Sequence, residues 1–356
     1  MVLTTRNLWN YLLSRGLVSY DSIVEGALII TDASHRNRSF RVRRGTHPSY
    51  FVKQIRDWDP ISISGWDHEN VCYRRLSTSN FMPKHYLSDH NSRIFVFELI
   101  SESETLSEFH RRQAGSSPGV GFRQGAVLAE LHRSTQGSET PGKVPWILSV
   151  QETNPAWFDS LSPANARLLE IVQGYPEYCE LLNELRQEWD PSCLIHGDVK
   201  WDNILIRSAE SVSPELYLVD WEMSIFGDPC WDIGAVFQAY INFWLYSMPF
   251  HETMNSDLLV IRAKRPLNQL QTAIREFWNG YTSEMKFDSC TSRMMLSRSI
   301  RCSAARMIQS AYEMMHMQQA MPPVGGAMLQ TSFNILTRPA DAIQSLLGLD
   351  YDSSAQ

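Results

Sequence analysis

The strongest constraint in this chain is an ordered series of four short segments between residues 194 and 234. An apolar run, Leu194-Ile195, ends in His196-Gly197-Asp198. Five residues after Asp198, Asn203 opens a second apolar run, Ile204-Leu205-Ile206. Seventeen residues later Asp220 closes a third run, Leu216-Tyr217-Leu218-Val219. Gly227-Asp228-Pro229 then turns the chain into Trp231-Asp232 and a long apolar helical pattern. Short apolar runs bounded by polar residues read as buried strands. The spacing therefore sets a carboxylate on a tight loop, an amide where the next strand begins, and a second carboxylate where the following strand ends.

That order of groups suits one chemistry. Phosphoryl transfer asks for an aligned acceptor hydroxyl, metal ions on the phosphates and cations around the moving charge. Asp198 suits the first task, as general base or aligning group for the hydroxyl. Asn203 and Asp220 supply the oxygen ligands that Mg²⁺ prefers. The order Asp198-Val199-Lys200-x-x-Asn203 resembles that of Ser/Thr protein kinases, which implies a Lys200 that touches the γ-phosphate, and Glu222 stands where choline kinase-like enzymes also carry an acid, which implies a place in the metal shell directly or through water.

The protein-kinase catalytic loop reads H-R-D-x-x-x-x-N, with a metal-binding Asp downstream. Here Gly197 replaces the Arg, and Asp220-Trp221-Glu222 stands where Asp-Phe-Gly is usual. With Gly227-Asp228-Pro229-x-x-Asp232, these departures make the chain resemble the aminoglycoside phosphotransferase and choline kinase-like superfamily. The resemblance implies an α+β, bilobal protein kinase-like fold, with an N-terminal antiparallel sheet lobe and a larger, mostly helical C-terminal lobe. Residues 1–100 are expected to bind the nucleotide and 101–356 to carry catalysis and the acceptor. ATP and Mg²⁺ are the implied cofactors. His196 is expected to brace the loop, and Asp232 to accept hydrogen bonds from it.

The N-terminal part carries residues that fit the same picture. Strand-like runs cover Ala27–Thr31, Ser39–Arg43 and Tyr50–Ile55 after a helical pattern at 6–15. Lys53, inside the third run, matches the kinase lysine on the α/β-phosphates, and Glu69 falls where its ion-pair partner belongs. The turn Ala33–Ser39 would cover the phosphates. It holds no glycine, and Arg36, Asn37 and Arg38, with Ser34, are its available donors. The strand Arg93–Ile100 would end at the hinge, where backbone groups from Glu98 to Ser101, including Ile100, meet the adenine edge. The helical segment Gly125–His132 ends in a histidine that reads better as a core residue than as a base. Helices are expected at 163–188, 229–248, 266–285, 291–317 and 327–347.

Composition narrows partners and compartment. A net charge of −7 gives no general attraction to nucleic acid or anionic membrane. The six cysteines are scattered without a C-x-x-C pair, as in a reduced, cytoplasmic protein. The N-terminal stretch lacks a signal-peptide core, and the longest apolar run, near 239–250, is too short to span a bilayer. The segment 251–356 holds ten Lys/Arg against nine Asp/Glu, a balance of +1 that disfavours a polycationic acceptor. A small hydroxylated metabolite is the expected acceptor. Lys200 and the Arg36–Phe40 turn also resemble phosphotransferases that modify Ser or Thr of ribosomally made precursor peptides. A nucleotide-binding scaffold without activity is the third reading, against which Lys53, Asp198, Asn203 and Asp220 all stand.

Overall fold

The computed structural model describes residues 1–24, 26–45, 47–113, 119–137, 140, 142–152, 161–209, 211, 213–250 and 256–350. The chain forms two compact units. The first comprises 1–106, 202–208 and 215–224, and the second the remainder.

The first unit is built on a five-stranded antiparallel sheet. Its strands are β1 (Leu28–Asp32), β2 (Arg38–Arg44), β3 (Tyr50–Gln54), β4 (His85–Asp89) and β5 (Ile94–Glu98), in the order β1-β2-β3-β5-β4. Side chains alternate across a strand, so each face collects its own set. Phe40, Val42, Tyr50, Val52, Ile94 and Val96 join Leu8, Tyr11 and Leu12 of α1 (Leu8–Ser14) in one core cluster. Phe95 and Phe97 pack on the other face against Trp66 and Tyr73 of α2 (Pro60–Arg75). Lys53 is one residue out of phase with Val52 and lies opposite Phe95 in the β3–β5 ladder. The pleat therefore directs it to the α2 face. On α2, Trp66, Glu69 and Tyr73 are three and four residues apart and share one stripe.

A second, three-stranded sheet pairs β6 (Ser103–Thr105), β7 (Ile204–Arg207) and β8 (Glu215–Leu218). Ile204 lies opposite Leu218, and Val219 N–H donates to the Asn203 carbonyl at 3.0 Å. Asn203 and Asp220 thus leave the same end of this hairpin.

The second unit is helical. Its axis is α3 (Pro229–Tyr246), capped by the Asp228 carboxylate on Cys230 N–H at 2.8 Å. It is buried on several sides, as a helix apolar around most of its surface must be. Against it packs α4 (Ser289–Met314), close enough that a Cβ on Gly234 would meet Ser303 N at 2.8 Å. A second close pair joins α5 (Val120–Ser134) to α6 (Leu267–Met285). A Cβ on Gly125 would strike the Phe277 carbonyl, and one on Gly280 the Phe122 carbonyl.

Several element boundaries differ from the expectation. The helix that carries Glu69, for which no bounds were expected, starts at Pro60, because Asp59 accepts Ile61 and Ser62 N–H and Pro60 occupies the first turn. The helical pattern at 163–188 is two helices, Pro163–Gln173 and Pro176–Gln187, parted before Pro176. The pattern at 327–347 begins earlier, at Pro323, and breaks at Arg338 before Pro339. Strand β4 had no expectation, since its residues are polar and only half buried.

Replacing Gly125 by Val should lower unfolding stability by about 1–3 kcal/mol or more, the range for overpacking a tight contact. Urea unfolding against the parent protein reads this directly, and an unchanged midpoint would show that α5 and α6 are not in fixed contact.

Candidate functional site

In the first unit, Lys53, Glu69 and Asp220 come together from β3, α2 and the turn after β8. Lys53 Nζ donates to both Glu69 oxygens, at 3.0 and 2.9 Å, and to Asp220 Oδ1 at 2.6 Å. Tyr73 adds its hydroxyl to Glu69 at 3.1 Å. Burial works against the Lys53 charge, but the two carboxylates outweigh it and hold the ammonium above its ordinary value. For Glu69, burial wins over the pull of Lys53, and its carboxyl is held above the usual range. Asp220 sits in the left-handed region at φ 69°, outside the residues that adopt it freely. Such a backbone costs on the order of 1–3 kcal/mol and persists only where surrounding contacts enforce it.

Glu222 lies two residues further on, in the 3₁₀ turn Trp221–Met223. Arg36 Nη1 donates to Glu222 Oε1 at 2.6 Å. The turn that carries Arg36 is closed from within. Ser34 N–H donates to Asp32 at 2.8 Å, Ser39 N–H to Ser34 Oγ at 3.0 Å, and Ala33 N–H to the Ser39 carbonyl at 2.8 Å. Ser34 therefore organises the turn that positions Arg36 and Asn37. Arg38 opens β2, and its guanidinium reaches the Arg56 carbonyl at 3.4 Å. At the end of β5, Glu98 N–H donates to the Lys84 carbonyl at 2.8 Å and Leu99 N–H to the Ser49 carbonyl at 2.9 Å. Ile100 is buried, and its carbonyl accepts from Ser103 Oγ at 2.7 Å.

The second unit holds the loop with His196, Asp198 and Lys200. The loop hangs from Asp232, in the first turn of α3. Asp232 is fully buried and accepts His196 N–H at 2.7 Å and Gly197 N–H at 2.9 Å. His132 Nε2 lies 3.2 Å from the same carboxylate, and His132 Nδ1 lies 2.9 Å from the Tyr281 hydroxyl. Burial alone would raise the Asp232 carboxyl, but the bond to His132 and the neighbouring imidazoles and N–H groups bring it below its ordinary range. His132 is thus a core residue that braces Asp232. Gly197 turns at φ 77°, which explains a glycine in the position between His196 and Asp198: an L side chain is strained there. Asp198 N–H points to His196 Nδ1 at 3.4 Å, and Lys200 Nζ donates to Asp198 Oδ2 at 2.6 Å.

Arg306, which the sequence did not single out as a site residue, also reaches this loop, with Trp231 beneath it. Arg306, on α4, donates to the Gly197 carbonyl at 3.1 Å, and Trp231 stacks under its guanidinium at 5.0 Å. Their contacts join segments far apart in the chain, so no local pattern marks them.

The donor chemistry fits a hard divalent cation. Among the described residues no three His, Cys, Asp or Glu side chains cluster as a ready-made metal site. The oxygen set available in the first unit is Asp220, Glu222 and the amide of Asn203, all suited to Mg²⁺. Lys53 and Arg36 occupy the two carboxylates with cationic groups.

Exchanging Lys53 for Met leaves Glu69 buried without its cation and should cost about 3–5 kcal/mol at neutral pH. Adding Glu69→Gln should return most of that loss. Because the Glu69 carboxyl already titrates above its unfolded value, the native Lys53→Met protein takes up a proton more readily than the unfolded chain. Its deficit should therefore shrink as pH falls and grow as pH rises. A pH-independent deficit in urea unfolding would refute the coupling.

Residues 32–261 match the phosphotransferase enzyme family. Among curated proteins, acyl-CoA dehydrogenase family member 11 of Rattus norvegicus is 35% identical over 69 residues, 19% of this chain and 8% of that protein. The match thus spans less than a tenth of that relative's length. Among solved structures, a choline kinase of Cryptosporidium parvum aligns with a TM-score of 0.57 at 13% identity, over 96% of this chain and 98% of its own. An amicoumacin kinase in complex with AMP-PNP, Ca²⁺ and Ami aligns at 0.51 and 14%, over 96% and 98%. A choline/ethanolamine kinase family protein of Mesorhizobium loti aligns at 0.50 and 15%, over 99% and 97%. At these identities the structures carry the fold, a bilobal α+β kinase-like one, while the sequence match extends over more than half of the chain. The protein belongs to the phosphotransferase enzyme family.

Proposed function

We propose that this enzyme moves the γ-phosphate of ATP to a hydroxyl of a small-molecule acceptor. The observation that carries the reading is the contact of Lys53 with both Glu69 and Asp220, made from three separate segments of the first unit. A lysine held by two carboxylates is an expensive arrangement for stability alone. It is what a nucleotide-phosphate site needs.

In this reading the first unit binds the nucleotide. Lys53 holds the α/β-phosphates and Glu69 keeps its ammonium in place. Arg36, Asn37 and Arg38 contribute donors from the β1–β2 turn. The N–H of Ile100 and the carbonyl of Glu98 meet the adenine edge. Asn203 and Asp220 would hold Mg²⁺, with Glu222 in its shell; bound there, Mg²⁺ would offset phosphate charge. Glu222 and Asp220 exchange their present cationic partners for that role.

The second unit supplies Asp198 and the acceptor surface. Asp198 accepts the proton of the acceptor hydroxyl while that oxygen bonds to the γ-phosphorus and the bond to the bridging oxygen breaks, leaving ADP. Lys200, 53% exposed on its side chain, would turn from the Asp198 carboxylate towards the transferred group and offset its charge. His196 holds the loop from beneath.

The near-neutral charge balance of 251–356 favours a neutral or anionic acceptor over a polycation. A panel of hydroxylated metabolites and Ser/Thr-containing peptides, incubated with Mg-ATP and followed by mass spectrometry, identifies the acceptor class. Phosphorylated peptides alone would transfer the assignment to a peptide kinase. Asp198→Ala should lower turnover by roughly 10²–10⁴-fold with Mg-ATP binding retained, and full activity in that variant would remove Asp198 as base. Asp220→Ala should weaken metal-dependent nucleotide binding; an unchanged Mg²⁺ dependence would place the metal elsewhere.

A further inference from the structure

Arg306 is a cation with no evident reason to be where it is. It lies on α4 and is only 6% exposed, deep in the second unit. Burial lowers the proton affinity of its guanidinium despite the nearby Asp198 and Asp232 carboxylates. Its Nε has no hydrogen-bond partner among the described residues. A buried arginine in this state is costly unless something is gained from its position.

What its position reaches is the loop. One terminal nitrogen donates to the Gly197 carbonyl at 3.1 Å, and another lies 4.0 Å from Asp198 Oδ1. Trp231 fixes the guanidinium plane at 5.0 Å from its ring centroid. Asp232 meanwhile holds the Gly197 N–H on the same residue. Gly197 is therefore clamped at its N–H by an accepting carboxylate from α3 and at its carbonyl by a donating guanidinium from α4. Lys200 also touches Asp198, on Oδ2 at 2.6 Å, from a half-exposed side chain, whereas the side chain of Arg306 is buried.

We infer that Arg306 is the positioning residue for Asp198. It fixes the peptide following Gly197 and holds a permanent positive charge on the Oδ1 side of the carboxylate. This inference rests on the reading of Asp198 as the group that aligns the acceptor hydroxyl.

The test uses the full chain with Mg-ATP, following phosphate release to water and transfer to any acceptor found in the panel. Arg306→Met should lower kcat on the order of 10²-fold, the scale for a misplaced reacting group, with KM for ATP changed by less than about twofold. Arg306→Lys keeps a charge and a donor for the Gly197 carbonyl but loses the planar fork. It should recover part of kcat, remaining about tenfold below the parent. In an Asp198→Asn background the further change Arg306→Met should alter the rate by less than about threefold, because the residue acts through Asp198.

Parent-like kcat in Arg306→Met would overturn the assignment, as would an equal loss in the Asp198→Asn background. Should Arg306→Met not fold, parent-like kcat in Arg306→Lys overturns the requirement for the fork. Asp198→Ala, measured alongside, separates the two levels. Full activity there refutes the base itself, whereas its loss together with an indifferent Arg306 refutes only the positioning.

Discussion

A carboxylate removed from water must be met by donors, and two such carboxylates organise this protein. Asp232 is fully buried, and the groups that satisfy it are the backbone N–H groups of His196 and Gly197 and the ring of His132. Take away those donors and Asp232 becomes an unpaired buried charge, which costs several kcal/mol. The loop cannot drift from α3 without that loss, so a folding requirement doubles as a positioning device. Glu69 repeats the logic in the first unit, where Lys53 and Tyr73 satisfy it. In both places the helix that carries the acid is itself fixed by apolar packing, α3 against α4 and α2 against the aromatic face of the sheet.

Backbone geometry at the site follows from the same demand. Gly197 and Asp220 both adopt positive φ, one at no steric cost and one with strain. Glycine suits a loop whose two backbone groups are both engaged. Asp is among the few side chains that tolerate the left-handed region, and at position 220 the bond to Lys53 helps enforce it. The β1–β2 turn, lacking glycine, is built instead from Asp32, Ser34 and Ser39 hydrogen bonds, and from it Arg36 reaches Glu222.

Much of this was readable in the sequence, for physical reasons. The Asp198, Asn203 and Asp220 spacing survives because it is local: a loop, a strand start and a strand end. The two-residue alternation around Lys53 is likewise local and fixes which face it takes. What escaped notice depends on tertiary pairing. Arg306 sits on a long helix among several other arginines, and only the fold tells it apart from Arg298 and Arg301, which pair with Asp228 and Glu188. The polar strand β4 earned its place through pairing with β5 and had no apolar pattern to announce it. The start of α2 was signalled by Asp59-Pro60, a cap-and-proline pair that outranks the apolar periodicity beginning later.

The first unit is not contiguous in the chain: it needs 1–106 and then 202–208 and 215–224. During synthesis, Lys53 and Glu69 are made long before Asp220 and the strands β7 and β8 that carry its hairpin. At about 5–20 residues per second, the 118 residues between Leu106 and Ser224 take roughly 6–24 s to appear. Through that interval the five-stranded sheet is complete but the second, three-stranded sheet is not, and Lys53 is without its second carboxylate. The greater part of the first unit is thus made by residue 106, yet the unit cannot close on itself until Ser224 has been added.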